Sequence, residues 1–119
     1  MEIKIIPKSK LRILDNTLNH KKKLVDLIEY HKGGSECMPL LSKRMGSASL
    51  FAFDTGQCLC EHIPANDAMI YIVEGAADVT ISGKKVILKQ GEMILLPANK
   101  PHSFIASVPF KMLLVIIKL

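Results

Sequence analysis

Residues 56–75 read "GQCLCEHIPANDAMIYIVEG", and the fold turns on how this stretch alternates. Cys58, Cys60 and His62 are spaced two apart, and alternate residues of an extended strand share one face. The run therefore reads either as half of a metal site or as the inner wall of a barrel. "PAND" is a turn by its Pro, Asn and Asp, and it leads into the apolar segment "AMIYIVEG".

The same grammar continues in both directions from there. From Gly46 onward the chain is a series of short apolar segments: "SASLFAF", "CLCEHI", "AMIYIVEG", "ADVTI", "KVILK", "EMILLP", "HSFIAS" and "FKMLLVIIKL". Turn signals such as "DTG", "EGA", "SGK", "KQG" and "PANKP" separate them. Eight strands at this spacing leave no room for crossover helices, so the chain reads as an all-β sandwich or barrel. "ISGKKV" is a hairpin with Gly83 in its turn. Two segments, "EMILLP" and "FKMLLVIIKL", are apolar on both faces, which calls for a second layer or a second subunit over the sheet.

The first 45 residues lack this pattern. Leu24, Leu27 and Ile28 have helical spacing but allow only a turn or two of helix, or an extended arm. "HKGGSE" is a loop, and Pro39 would confine "CMPLLSK" to an edge or a strand start. We divide the chain into an extension, 1–45, of arm and edge strands and a barrel, 46–119. The extension packs on its own barrel or on a partner's.

Hydrophobic residues make up 49% of the 119, which excludes a disordered chain and suits one core. The net charge of +5 arises in the extension, with ten Lys/Arg against five Asp/Glu, while the rest is balanced at six and six. A nucleic-acid surface would couple a denser basic stripe to aromatics, so none is expected. The charged opening does not read as a secretory signal, and the longest apolar run, 112–117, is too short for a membrane span. Three cysteines, two of them close neighbours on a strand, suit reduced thiols and a cytoplasmic protein.

The punctuated segments resemble the cupin superfamily, in particular its small single-domain members with a cupin 2-like conserved barrel. The family's first motif, G-x5-H-x-H-x3,4-E-x6-G, is matched by Gly56, His62 and Gly75. Its second, G-x5-P-x-G-x2-H-x3-N, is matched by Gly91, Pro97 and His102, with 15 residues between the motifs. The resemblance implies a jelly-roll barrel with a pocket in its mouth, and a homodimer. Pro64 stands where the second histidine belongs, Ala68 where the glutamate belongs, Asn99 at the glycine and Ala106 at the asparagine. Two of the four positions that bind metal in the family, His62 and His102, are therefore retained.

If His62 faces inward on a regular strand, Cys60 and Cys58 do too. His62, His102 and Cys60 are then the candidate ligands for a divalent metal (Zn, Fe, Mn or Ni). The alternative is that the cysteines are small buried hydrophobes. The same parity assigns Ile70, Ile72 and Phe104 to the pocket with His62 and His102, and the resemblance to the family's second motif implies Ile94 and Leu96 as well. It turns Met69, Tyr71, Met93 and Leu95 outward, as an apolar patch for the dimer contact. His20 and His31 read as surface residues. The leading expectation is a cupin that holds a small, largely apolar ligand. The alternative is a metal-dependent oxygenase, isomerase or decarboxylase using His62 and His102, and a ligand sensor acting through a partner chain ranks last. The residues leave open whether the protein is an enzyme.

Overall fold

The structure, a computed structural model, describes residues 3–5 and 21–118. His20 lies outside the described residues, as do the side chains of Cys60 and His62. Nine strands form among the described residues: β1 (Ile3–Ile5), β2 (Ser35–Lys43), β3 (Gly46–Phe53), β4 (Cys58–His62) and β5 (Asp67–Ile81), then β6 (Lys84–Lys89), β7 (Met93–Leu96), β8 (His102–Ile105) and β9 (Phe110–Ile117). One sheet runs β1-β2-β3-β9-β5, with β7 also on β5, and the other joins β4, β8, β5 and β6. Among the described residues every pairing except β1 with β2 is antiparallel. The fold is all-β and consistent with a jelly-roll barrel.

One expected turn is not a turn. The turn signal "EGA" predicts a break, yet β5 runs through it as one strand of 15 residues. Its first half pairs with β9 and β7, and its second half with β6 and β8. The change of sheet occurs at a register shift between Ile72 and Glu74 and at Gly75, whose φ is +79°. A Cβ on Gly75 would land on the carbonyl oxygen of Pro109 and within 3.0 Å of the Phe110 Cα. Glycine is needed here both for the backbone angle and for the closeness of β9.

Inside the barrel all four phenylalanines, Phe51, Phe53, Phe104 and Phe110, pack with Ile70, Ile72, Val79, Leu88, Leu96 and Met112. Phe53 stacks on Phe110 with 4.8 Å between ring centroids. A second cluster lies on the other face of the sheet: Ile28, Leu50 and Ala52, with Leu24, Leu27, Met38, Leu40, Val73 and Leu113. Its cover is the segment 21–34, which holds a single 3-10 turn, Leu24–Asp26. The second layer that the apolar β9 required is thus supplied in part by the chain's own extension. Burying Ile28 to 2% exposure contributes roughly 2 kcal/mol.

This strap is pinned by one polar cluster. The Lys111 ammonium, on a side chain only 10% exposed, donates to the Val25 carbonyl at 2.7 Å and lies 3.8 Å from the Glu74 carboxylate. It also sits 5.0 Å from the centroid of the Tyr30 ring. The Tyr30 hydroxyl donates to Glu74 at 2.6 Å. Burial first, then the Glu74 carboxylate, raises the Tyr30 pKa above its ordinary value. Pro39 sits at a register shift in β2, beyond the reach of β1, a place that tolerates its missing N–H.

The β5–β6 hairpin closes through Ser82 and Gly83, with φ of +50° and +81°. These positive angles mark a two-residue turn that prefers Asn at its first position. Ser82→Asn is expected to raise stability by about 0.5 kcal/mol or more, and Gly75→Ala to lower it by on the order of 3 kcal/mol. Urea titration checks both, and an effect of Gly75→Ala below about 1 kcal/mol would contradict the close contact with β9.

Candidate functional site

The loop 97–101 carries the chain to His102. Asn99 takes φ +64°, the left-handed angle that the motif's glycine would supply, and its N–H donates to the Pro64 carbonyl at 2.8 Å. The Ala98 N–H donates to the Asp67 carboxylate at 2.7 Å. Asp67 is therefore an acceptor that fixes the loop. The Pro101 carbonyl accepts from the Ser82 N–H at 2.9 Å. Held at these points, the loop delivers His102 to the start of β8, 4% exposed, with its ring 5.6 Å from that of Phe104.

A cavity of about 90 Å³ opens beside it, walled by Leu59, Pro64, Asn66, Ala68, Leu96, His102, Phe104, Leu114 and Ile116. Of the expected pocket residues, His102, Leu96 and Phe104 line this cavity. Ile70 and Ile72 are fully buried in the core cluster, with Ile94 packed against it. Leu59, Asn66, Leu114 and Ile116 were missed. The alternation of β9 alone could have found the last two, since Phe110 and Met112 share their face.

β4 departs from regular alternation. Leu59 pairs with Phe104 and His62 with His102, so the register slips by one between them. Parity counted back from His62 assigned Cys58 to the pocket face. The bulge reverses this: Leu59 lines the cavity, while Cys58 pairs with the exposed Ile105. The backbone ladder sets His62 directly opposite His102.

Among the described residues the donors on the cavity wall are too few for a divalent ion, and the side chains of the other expected ligands, His62 and Cys60, lie outside them. Pro64 and Ala68, at two of the family's four ligand positions, both line the cavity and offer no side-chain ligand atom. The described polar side chains on the wall are the His102 imidazole and the Asn66 amide, short of the three protein ligands a catalytic ion generally takes. Among the described residues no group of three or more His, Cys, Asp or Glu is placed to hold a metal.

On the outer face, Met69 pairs with Leu95 and Tyr71 with Met93 across β5 and β7. Leu95 is 65% exposed and Met93 45%. Met69, Leu95, Val115 and Ile117 help to line an open groove of about 730 Å³ there.

The strands thus build a small, mainly antiparallel barrel with a mostly apolar cavity and a few polar groups on its wall. Residues 50–116 match the cupin domain family, and the chain belongs to it. The fold is similar to a cupin superfamily protein from Desulfitobacterium hafniense (27% identity over 84% of this chain and 92% of that one, TM-score 0.80). It is also similar to a cupin 2 conserved barrel domain protein from Leptotrichia buccalis (33% identity, 80% and 46% coverage, TM-score 0.77). A conserved protein of unknown function from Streptococcus pyogenes is likewise similar (30% identity, 75% and 78% coverage, TM-score 0.72). No curated protein matches the chain. No helix among the described residues is long and apolar enough to cross a membrane.

Cys37 lies in the interior cluster at 6% exposure, and burial pushes its thiol pKa up against a smaller opposing effect of a hydrogen bond with Ser49. A raised thiol pKa means less thiolate near neutral pH. Cys37 should therefore resist iodoacetamide in the folded protein and react once urea unfolds it. Peptide mass mapping reads this, and equal labelling in both states would contradict the burial.

Proposed function

We propose that the protein is a small-molecule-binding cupin that holds a compact, largely apolar ligand group against His102. The observation that carries this reading is the buried imidazole on the wall of an otherwise apolar cavity, with Pro64 and Ala68 where metal ligands would stand. The cavity, about 90 Å³, is smaller than the ~150 Å³ site that accepts benzene, so it suits a group of about four non-hydrogen atoms. His102, with His62 opposite it in the ladder, supplies a hydrogen bond to a polar atom of the ligand. Ile70, Ile72 and Ile94 form the floor of packed side chains behind the pocket. The competing reading is a metal-dependent oxygenase, isomerase or decarboxylase. It draws on the same His62–His102 register with Cys60 added.

Two measurements separate these readings. Isobutyrate and isobutanol are expected to bind by saturation-transfer NMR, and Ala68→Leu, which fills the cavity, to weaken them at least about tenfold. Metal bound per chain should be well below one and unchanged in the His62→Ala, His102→Ala double variant. Binding that ignores Ala68→Leu, or near-stoichiometric Zn, Fe, Mn or Ni lost in the double variant, would overturn the proposal.

The binding form is a homodimer joined through Met69, Tyr71, Met93 and Leu95. An apolar patch of this kind on one face of a sheet marks an interface. Tyr71→Glu is expected to halve the mass seen by sedimentation. An unchanged mass would place the contact elsewhere.

A further inference from the structure

Among the described residues β6 is an edge strand, paired with β5 alone. The Ser82–Gly83 turn closes on the pair Ile81 and Lys84. In a two-residue hairpin that pair exchanges hydrogen bonds, so residues 84, 86 and 88 direct their backbone groups at β5. Residues 85, 87 and 89 direct theirs away. Two observed bonds agree. The Gln90 N–H reaches the Gly75 carbonyl in β5 at 3.0 Å, and the Lys89 N–H turns outward to the Glu92 carboxylate at 2.8 Å. The Lys89 carbonyl is occupied as well, by the Glu92 N–H at 2.9 Å. What stays open is the N–H and C=O of Lys85 and Ile87, four groups in a row with no strand beyond them among the described residues.

The side chains around this row are of two kinds. Val86 is 39% exposed and Ile87 57%, and Ile105 at 44% lies in the same cross-strand row as Ile87 through Asp78. Lys84, Lys85 and Lys89 are exposed and flank the apolar pair. The facing carboxylates are Asp78, which accepts a hydrogen bond from the Ser107 hydroxyl at 2.7 Å, and Glu92, engaged with the Lys89 N–H. Lysine on an edge discourages pairing with a copy of itself. Two copies joined here would bring six lysines, three from each, onto one ladder, where like charges destabilise.

We infer that β6 docks an extended segment of a partner protein by adding a strand, and that the partner carries carboxylates flanking a β-branched residue. The partner's apolar residue lies opposite Ile87, and an acidic residue two positions along faces Lys85. Backbone bonds to Lys85 and Ile87 supply the attraction common to any strand, and the lysines select the acidic one.

The test uses fluorescein-labelled peptides built on Glu-Thr-Val-Thr-Glu and on Lys-Thr-Val-Thr-Lys, read by anisotropy against the full chain. The acidic peptide is expected to bind, and to weaken as salt screens the lysines over about 10 Å. The Lys85→Glu, Lys89→Glu double variant should reverse the preference. Ile87→Pro removes an N–H that β5 does not use, so it should cut binding at least about tenfold and keep the melting temperature within a few degrees. Absence of binding, equal binding of both peptides, or indifference to Ile87→Pro in a folded variant would overturn the proposal. So would a concentration-dependent self-association abolished by Ile87→Pro.

Discussion

A single strand, β5, belongs to both sheets, and the remaining architecture depends on the bend that lets it do so. Its first half lies between β7 and β9 and its second between β6 and β8. The bend exists because Gly75 takes an angle that other residues resist and leaves the space that Pro109 and Phe110 occupy. Closing the two sheets in this way stacks Phe110 on Phe53 and encloses the aliphatic interior. The cavity at His102 is what that packing leaves unfilled where Pro64 and Ala68 are too small to reach.

The outer face of the same sheet is divided. Over Leu50, Ala52, Val73 and Leu113 it is covered by the strap, whose own Ile28 becomes part of a second core. Over Met69, Leu95, Val115 and Ile117 it is open. One strand pattern thus serves two environments. β9 shows it most plainly: Lys111 and Leu113 lie under the strap, while Val115 and Ile117 reach beyond it.

Motif spacing alone makes the frame legible in the sequence. Gly56, Gly75 and Gly91 all have positive φ, and Asn99 joins them in place of a fourth glycine. Three features were not legible. The break expected at "EGA" is a bend within one strand, because a glycine marks a turn and a sheet-crossing kink with the same letter. The bulge in β4 inverted the parity of Cys58, since one extra residue leaves no trace in a pattern of alternation. The strap's docking site is set by Lys111 and Glu74, far from it in sequence, and local periodicity carries no information at that range.

That distance has a consequence for the order in which the molecule assembles. Val25 and Lys111 are 86 residues apart, and Tyr30 and Glu74 are 44 apart. Glu74 and Lys111 face each other across β5 and β9, so their receptor for the strap exists only after those two strands have paired. Closing so long a loop earlier would cost entropy with nothing to return it. The strap accordingly docks after β5 and β9 have paired and can lift from them in native-state opening with the barrel intact beneath it.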